Sequence, residues 1–311
     1  MKKYLTKRAL VSVATLFVIL LVLFILMDLM PGSPFNDEKL TADQLAVLYS
    51  KYGLDKPIIV RFFIYVKNML TGDFGISYTI NKNFAVSEML KGRLSVSLMV
   101  GAMAMVVGTI FGLILGIASA LNHNTWIDNL CSIIAVFGVS IPSYVCGLLL
   151  CYFLAYKLKL FPILFDRGRP FYSLVLPALA LSVSPTANIA RFTRSEMIDV
   201  LNSNFISLVQ SKGVKDYKVI VKHALRNTLI PIVTVMGPLL AGLLTGSSVI
   251  EKIFGIPGIG NLMIQGIQFN DYNVTIACSF IYSIIYVVIM FVVDLLYGVI
   301  DPRIRITKEG A

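Results

Sequence analysis

Charge and reactive side chains are what this sequence has little of. Asp, Glu, Lys and Arg together make up 14% of the chain, there are two histidines, and all four cysteines (Cys131, Cys146, Cys151, Cys278) fall inside apolar runs. No C-x-x-C pair occurs, and His123 and His223 lie far apart, so neither a metal site nor a disulfide framework is expected. The cysteines read instead as small buried apolar residues. No GxxxxGK[ST] phosphate loop, no HExxH and no Ser/His/Asp set occurs. Catalytic residues and cofactors are therefore not expected. The glycines at Gly255, Gly258 and Gly260 form no dinucleotide fingerprint, because no strand precedes them.

What is abundant is hydrocarbon. Hydrophobic residues make up 57% of the chain and mean hydropathy is +0.81, so a water-soluble domain would have too little polar surface to cover itself. Six apolar runs are long enough to be membrane helices, at about 9–30, 95–121, 129–156, 172–190, 229–250 and 275–299. Residues 1–8 resemble the start of a secretory leader, but the following run is too long and MDLMPGSPF lacks a cleavage site. The first run is read as a retained helix. The expected organisation is an N-terminal tail and first helix (1–30), an extracytoplasmic helical segment (31–94), a five-helix core (95–299) containing a cytosolic loop (191–228), and a cytosolic tail (300–311).

The net charge of +10 is explained by topology rather than by nucleic-acid binding. Segments 1–8, 122–128, 191–228 and 300–311 hold fourteen Lys/Arg, while 157–171 and 251–274 hold five. Long loops such as 31–94 carry little weight in the positive-inside rule, so both termini are expected in the cytosol. Only Asp28 and Asp294 are carboxylates within the runs, each near an end. A structural role is favoured over proton coupling, since the interface is within reach.

Segment 31–94 reads as structured. Thr41-Ala42-Asp43-Gln44 fits a capping box, Leu45, Leu48, Tyr49 and Tyr52 follow at helical spacing, and Gly53 ends the turn. A second amphipathic helix follows Pro57, with Ile58, Ile59, Phe62, Phe63, Val66 and Met69 on its apolar side. Together they suggest a small helical cap, with helices lying on the lipid interface as the alternative. Gly108, Gly112 and Gly116 line one face of the second run and Gly242 and Gly246 one face of the fifth, which predicts close helix packing. Pro142, Pro177, Pro185 and Pro231 lie in or beside runs and predict kinks. VIEKIFGIPGIG reads as a Gly/Pro turn leading into a short helix that dips toward the bilayer.

The loop 191–228 is helical in character, holds seven Lys/Arg, and is punctuated by Gly213. It is too small to be a domain, and its natural role is docking to another protein at the membrane surface.

These segments in order resemble the B-type permease subunits of bacterial oligopeptide/dipeptide/nickel ABC importers. The resemblance runs nearly end to end. It rests on MPGSPF, KYGLDKP, GDFGISY, IPSYVCGLLL, LPALALS, IARFTRSEMIDVLNSNFI, HALRNTLIPIVT, TGSSVIEKIFGIPGIG, the Asn270–Tyr272 triplet and DLLYGVIDPRIRI. MPGSPF, NSNFI and the 300–306 ending look most like oligopeptide members; dipeptide, metal-chelate or opine cargo remain alternatives, with a stand-alone carrier more distant.

The resemblance implies an all-α integral membrane protein with six transmembrane helices in the type I importer permease fold. It implies a second homologous permease, two ATP-binding subunits, an extracytoplasmic peptide-binding protein and a peptide substrate as partners, in a bacterial cytoplasmic membrane. The family's EAA…G coupling segment falls on Asn204, Phe205, Ile206, Ser207, Leu208, Val209, Gln210, Ser211, Lys212 and Gly213. Gly213 matches the family glycine, while Ser207, Leu208 and Val209 replace the EAA triplet. Lys212, Lys215 and Lys218 are either partners for acidic ATPase residues or ordinary inner-side charge.

Overall fold

A computed structural model describes residues 2–29, 35, 41–246 and 248–300. Most of MPGSPF and the tail beyond Ile300 lie outside them. In chain order the helices are α1 (Lys2–Leu29), α2 (Ala42–Lys51), α3 (Ile58–Leu70), α4 (Val86–Leu90), α5 (Arg93–Leu121), α6 (Trp126–Ser140), α7 (Ser143–Leu150), α8 (Pro170–Ser173) and α9 (Val175–Leu201). There follow α10 (Asn204–Ser211), α11 (Asp216–Lys218), α12 (Leu225–Gly246), α13 (Ser248–Ile253), α14 (Ile259–Gln268) and α15 (Tyr272–Ile300). Wider π turns over Cys151–Lys157 extend α7, and others over Val219–Ala224 join α11 to α12. No strand occurs among the described residues beyond a single bridge between Ile76 and Ala85.

Four stretches are long and apolar enough to cross a membrane: Arg8–Leu29, Val86–Leu121, Asp216–Leu244 and Tyr272–Leu295. The expected third run is not one straight helix. It breaks between α6 and α7 with a 101° bend, and counts as a fifth span only if the bent pair is taken as one. The cause is Pro142, whose ring excludes Ile141 from helical geometry; Ile141 sits at φ −88°, ψ 122°.

The expected fourth run belongs to α9, which is not among the stretches that qualify by length and composition. It continues to Leu201, well into the loop expected from sequence. Half of its buried positions are small or polar: Ala178, Ala180, Ser182, Ala187, Ala190 and Thr193. A helix surrounded by other helices packs through small residues and does not need a lipid-facing apolar surface. Pro177 lies in its first turn, where no intrahelical N–H bond is lost. Pro185 is accommodated inside α9, and Pro231 and Pro238 inside α12.

The described residues fall into two compact units, those within 2–97 together with 257–291, and those within 98–256 together with 292–300. In the first, Leu20, Phe24 and Met27 of α1 pack with Phe62 and Met69 of α3 and Ile276 of α15. The capping box is present as read: the Thr41 side chain accepts from the Gln44 N–H, and Gln44 Oε1 accepts from the Thr41 N–H. Gly53 ends this helix at φ +66°. The apolar stripe of α3 differs from the one expected. Phe62 and Met69 are buried, whereas Ile59 and Phe63 are exposed.

The same unit holds a clasp that sequence reading did not single out. Asp271, fully buried at the start of α15, accepts backbone N–H bonds from Tyr78, Thr79 and Ile80 at 3.1–3.2 Å. The hydroxyls of Ser77 and Thr79 donate to the same carboxylate. Successive backbone N–H groups converging on one point form a nest for an anion, and here the anion is part of the chain. Beside it, Asn273 Nδ2 donates to Ile76 O at 2.9 Å. Gly75 sits at φ +75°, which strains any other residue, and a Cβ there would also stand 2.8 Å from Asn273 Nδ2 and push it from this bond. Two motifs far apart in sequence, GDFGISY and Asn270–Tyr272, are thus one structural element.

In the second unit the glycine stripe of α5 behaves as its spacing predicts. Cβ atoms on Gly108, Gly112 and Gly116 would lie 2.8, 2.8 and 2.5 Å from Pro185, Ile189 and Thr193 of α9. By contrast, among the described residues nothing lies within 4 Å of such an atom on Gly242, so its spacing does not mark a close packing seam there.

Candidate coupling surface

The docking segment is built on the end of α9. After Leu201 the chain turns at Asn202 and Ser203, and α10 covers Asn204–Ser211, with Lys212 as its cap. Ile206 and Val209, one turn apart, face inward. They join Ala120 of α5, Met197 of α9, and Val219 and Ala224 from the π turns before α12 in one apolar cluster. Phe205 and Leu208 lie on the flank next to this face and are exposed, and the Phe205 ring stands 5.9 Å from that of His223. The helix thus has one face fixed to three other elements and an adjoining flank that presents large apolar groups. Of the three residues at the EAA positions, Ser207 and Leu208 are exposed and Val209 is buried.

Gly213 ends the segment at φ +73°, and its N–H donates to Gln210 O at 2.9 Å. That conformation is the usual helix stop for glycine and is strained for other residues. A Cβ there would meet nothing within 4 Å, so a substitution tests the backbone alone. Lys212, Lys215 and Lys218 are all exposed around it.

One turn before Met197, α9 carries Arg194, which sequence reading quoted but did not assign. Its Nε and Nη2 donate to the two oxygens of Asp128, both at 2.7 Å, in a forked pair. Asp128 lies in the first turn of α6, where the helix dipole favours an anion, and is 2% exposed. It also accepts from the Ser119 hydroxyl of α5 and from the Asn124 N–H at 3.0 Å. His123 Nδ1 lies 3.1 Å from Arg194 Nη2 and 3.2 Å from Asp128 Oδ2. One ring nitrogen cannot serve as acceptor and donor at once, so it bonds either the guanidinium or the carboxylate, according to tautomer.

The clamp therefore joins the ends of α5, α6 and α9 at one buried carboxylate. Ser119 adjoins Ala120 in sequence, so the clamp and the apolar seat of α10 are contiguous. A carboxylate three residues after Thr125, at the mouth of an apolar run, was the available signal. Its partner, far along the chain, was not indicated by spacing.

Residues 108–306 match the family described as "Binding-protein-dependent transport system inner membrane component", and residues 1–97 match its N-terminal component. The chain belongs to this family. The permease is 44% identical over 306 residues to the dipeptide transport system permease protein DppB of Lactococcus lactis, covering 98% of this chain and 100% of the relative. It is 43% identical to DppB of Bacillus subtilis over the whole of both chains. It is 38% identical to the oligopeptide transport system permease protein OppB of Salmonella typhimurium over 98% of this chain and 100% of the relative.

Among solved structures, the permease resembles a chain of the inward-facing MetNI methionine ABC transporter. The TM-score is 0.57 at 17% identity, covering 69% of this chain and 97% of that one. An amino acid ABC transporter gives 0.53 at 16% identity over 67% of this chain and 92% of that one. At these identities the likeness establishes the fold. The permease is a multi-pass membrane subunit of that fold.

Proposed function

We propose that this chain is one of two permease subunits of an ATP-driven peptide importer, and that α10 is where separate ATPases grip it. The observation that carries the reading is α10 with its exposed apolar flank, stopped by Gly213 and seated on α5, α9 and the start of α12. A docking helix tied in this way moves as a body with the helices that hold it. ATP-driven closure of two attached subunits then rocks those helices between two arrangements, provided ATP binding favours one of them. The chain itself carries no phosphate loop and is assigned no catalytic step.

The pathway is assigned to an interface with a second, homologous permease. One six-helix set packed through glycines offers a peptide little polar lining. Six crossings, counting α9 and the bent α6–α7 pair, put both termini in the cytosol of a bacterium, with 31–94 on the outer side near a peptide-binding protein. The motifs MPGSPF and NSNFI point to oligopeptides. The identities lean toward the relatives named for dipeptides, so cargo length is the open variable within the peptide class.

The test is uptake of labelled di-, tri- and pentapeptides by the complete importer in vesicles, with ATP hydrolysis measured alongside. Gly213→Val costs about 1–2 kcal/mol of local backbone strain without a steric clash. It is expected to leave the complex assembled but to cut cargo-stimulated hydrolysis and uptake by about five- to thirtyfold, the factor to which about 1–2 kcal/mol corresponds. Asn202→Ala, outside α10, is the control. Wild-type uptake and stimulation in Gly213→Val would remove the coupling role from this segment.

A further inference from the structure

The connection between α1 and α5 reads in sequence as a cap above the bilayer. Its ring contacts place part of it deeper. The apolar stretch Arg8–Leu29 of α1 is long enough to cross a membrane. Phe17 stands about 18 Å along the axis from Leu29, at 1.5 Å per residue, near the middle of that stretch. Yet the Phe17 ring meets Phe62 of α3 edge-on at 5.2 Å and lies 6.5 Å from Phe63. Phe24, two turns nearer the end of α1, meets Phe62 at 5.7 Å and Tyr65 at 6.0 Å. α3 therefore lies alongside the C-terminal half of the spanning helix.

The two sides of α3 differ. Ile59 (65% exposed), Val60 and Phe63 (58% exposed) leave an apolar surface uncovered, next to the exposed Phe17 of α1, with Lys67 one turn further on at its end. Another side borders a cavity of about 520 Å³ lined by Lys51, Lys56, Asn68 and Asp73, among others. An arginine at the edge of the apolar layer is costly unless it is neutralised or reaches the interface. Arg61 of α3 is neutralised: its Nη1 donates to Asp28 Oδ1 at 2.7 Å, and its guanidinium lies 5.6 Å from the centre of the Phe24 ring. Asp28, one of the two carboxylates within the apolar runs, thus has a partner that accounts for it.

We propose that α3 is a membrane-embedded helix. It lies in the half of the bilayer that holds the C-terminal end of α1, its Ile59/Phe63 face meets acyl chains, and the Asp28–Arg61 pair is what admits it there. Acyl chains are assigned as the occupant because the exposed face adjoins that of a helix already long enough to span the membrane.

The test uses the complete importer in phosphatidylethanolamine/phosphatidylglycerol vesicles. Single nitroxide labels are placed at positions 59 and 63, with Leu26 of α1 as the lipid reference and the exposed Lys51 of α2 as the aqueous one. The ratio of collision with oxygen to collision with a nickel chelate at 59 and 63 is expected within about twofold of position 26 and about tenfold above position 51, as for an apolar face in the acyl region. Water-like ratios at both positions would overturn the proposal. So would low access to both reagents, which would mean that another protein chain covers this face.

In Asp28→Asn the label at 63 is expected to shift toward the aqueous value, and Asp28→Asn with Arg61→Met to return it to lipid. An unshifted label in Asp28→Asn would remove the pair from the account. If the single variant does not assemble, assembly and lipid access in the double variant support the pair, and failure of both refutes it. These readings do not depend on cargo or ATP, so they stand or fall separately from the coupling assignment.

Discussion

Arg194→Met is expected to destabilise the assembled permease by about 2–4 kcal/mol, because it strands a buried carboxylate. Asp128 has lost nearly all contact with water and depends on the forked guanidinium for its charge. The figure lies below that for a fully buried pair, since the Arg194 side chain remains 32% exposed. Arg194→Lys should recover only part of the loss, as an ammonium cannot donate to both oxygens in the same fork. Removing both charges, as Arg194→Met with Asp128→Leu, should cost less than the sum of the two single changes, because no ion is then stranded. Thermal unfolding of the purified complex for the wild type, both single variants and the double closes the cycle. Strict additivity would mean that the two side chains do not act as a pair.

Asp271→Ala carries the second large effect. It leaves three backbone N–H groups and two hydroxyls without their acceptor, in a place where no part of Asp271 reaches solvent. Each buried donor left unsatisfied costs about 1–3 kcal/mol, and rearrangement or entry of water recovers part, so a net loss of about 3–6 kcal/mol is expected. Asp271→Asn keeps an oxygen for the nest but loses the charge that strengthens each bond, and should cost about half as much. Protease sensitivity of residues 72–85 in membrane vesicles is the direct readout. Rapid cleavage in the alanine variant, intermediate cleavage in the asparagine variant and protection in the wild type are expected. Equal protection in all three would show that the loop is held by something else.

Both devices mark the limit of what the sequence made legible. Local chemistry was readable: the Thr41–Gln44 box, the left-handed stops at Gly53 and Gly213, and the four-residue spacing that sets Gly108, Gly112 and Gly116 against α9. Each depends on residues within a turn or two of one another. The Asp128–Arg194 and Asp271–Tyr78 contacts join residues far apart in the chain, and no period or spacing encodes them. Hydropathy recognised α9 only in its first part, because a helix enclosed by protein is selected for small residues rather than apolar ones. It treated 129–156 as one span because composition does not report a bend; Pro142 indicated a kink but not one of 101°. On α3 the period was right and the phase was wrong. Ile59 and Phe63 were grouped with buried neighbours, although an apolar residue on such a helix faces either protein or lipid.

The central claim is that α10 presents its Phe205/Leu208 flank to an ATP-hydrolysing partner. A photo-crosslinking amino acid at position 208, in the importer expressed in its own membrane, tests it most directly, with the buried position 206 as the internal control. The account predicts a crosslink at 208 to a chain carrying a GxxxxGK[ST] phosphate loop, stronger when ATP is bound without hydrolysis, and none to that chain at 206. Crosslinks at 208 to lipid alone, or to a chain without such a loop, would contradict it.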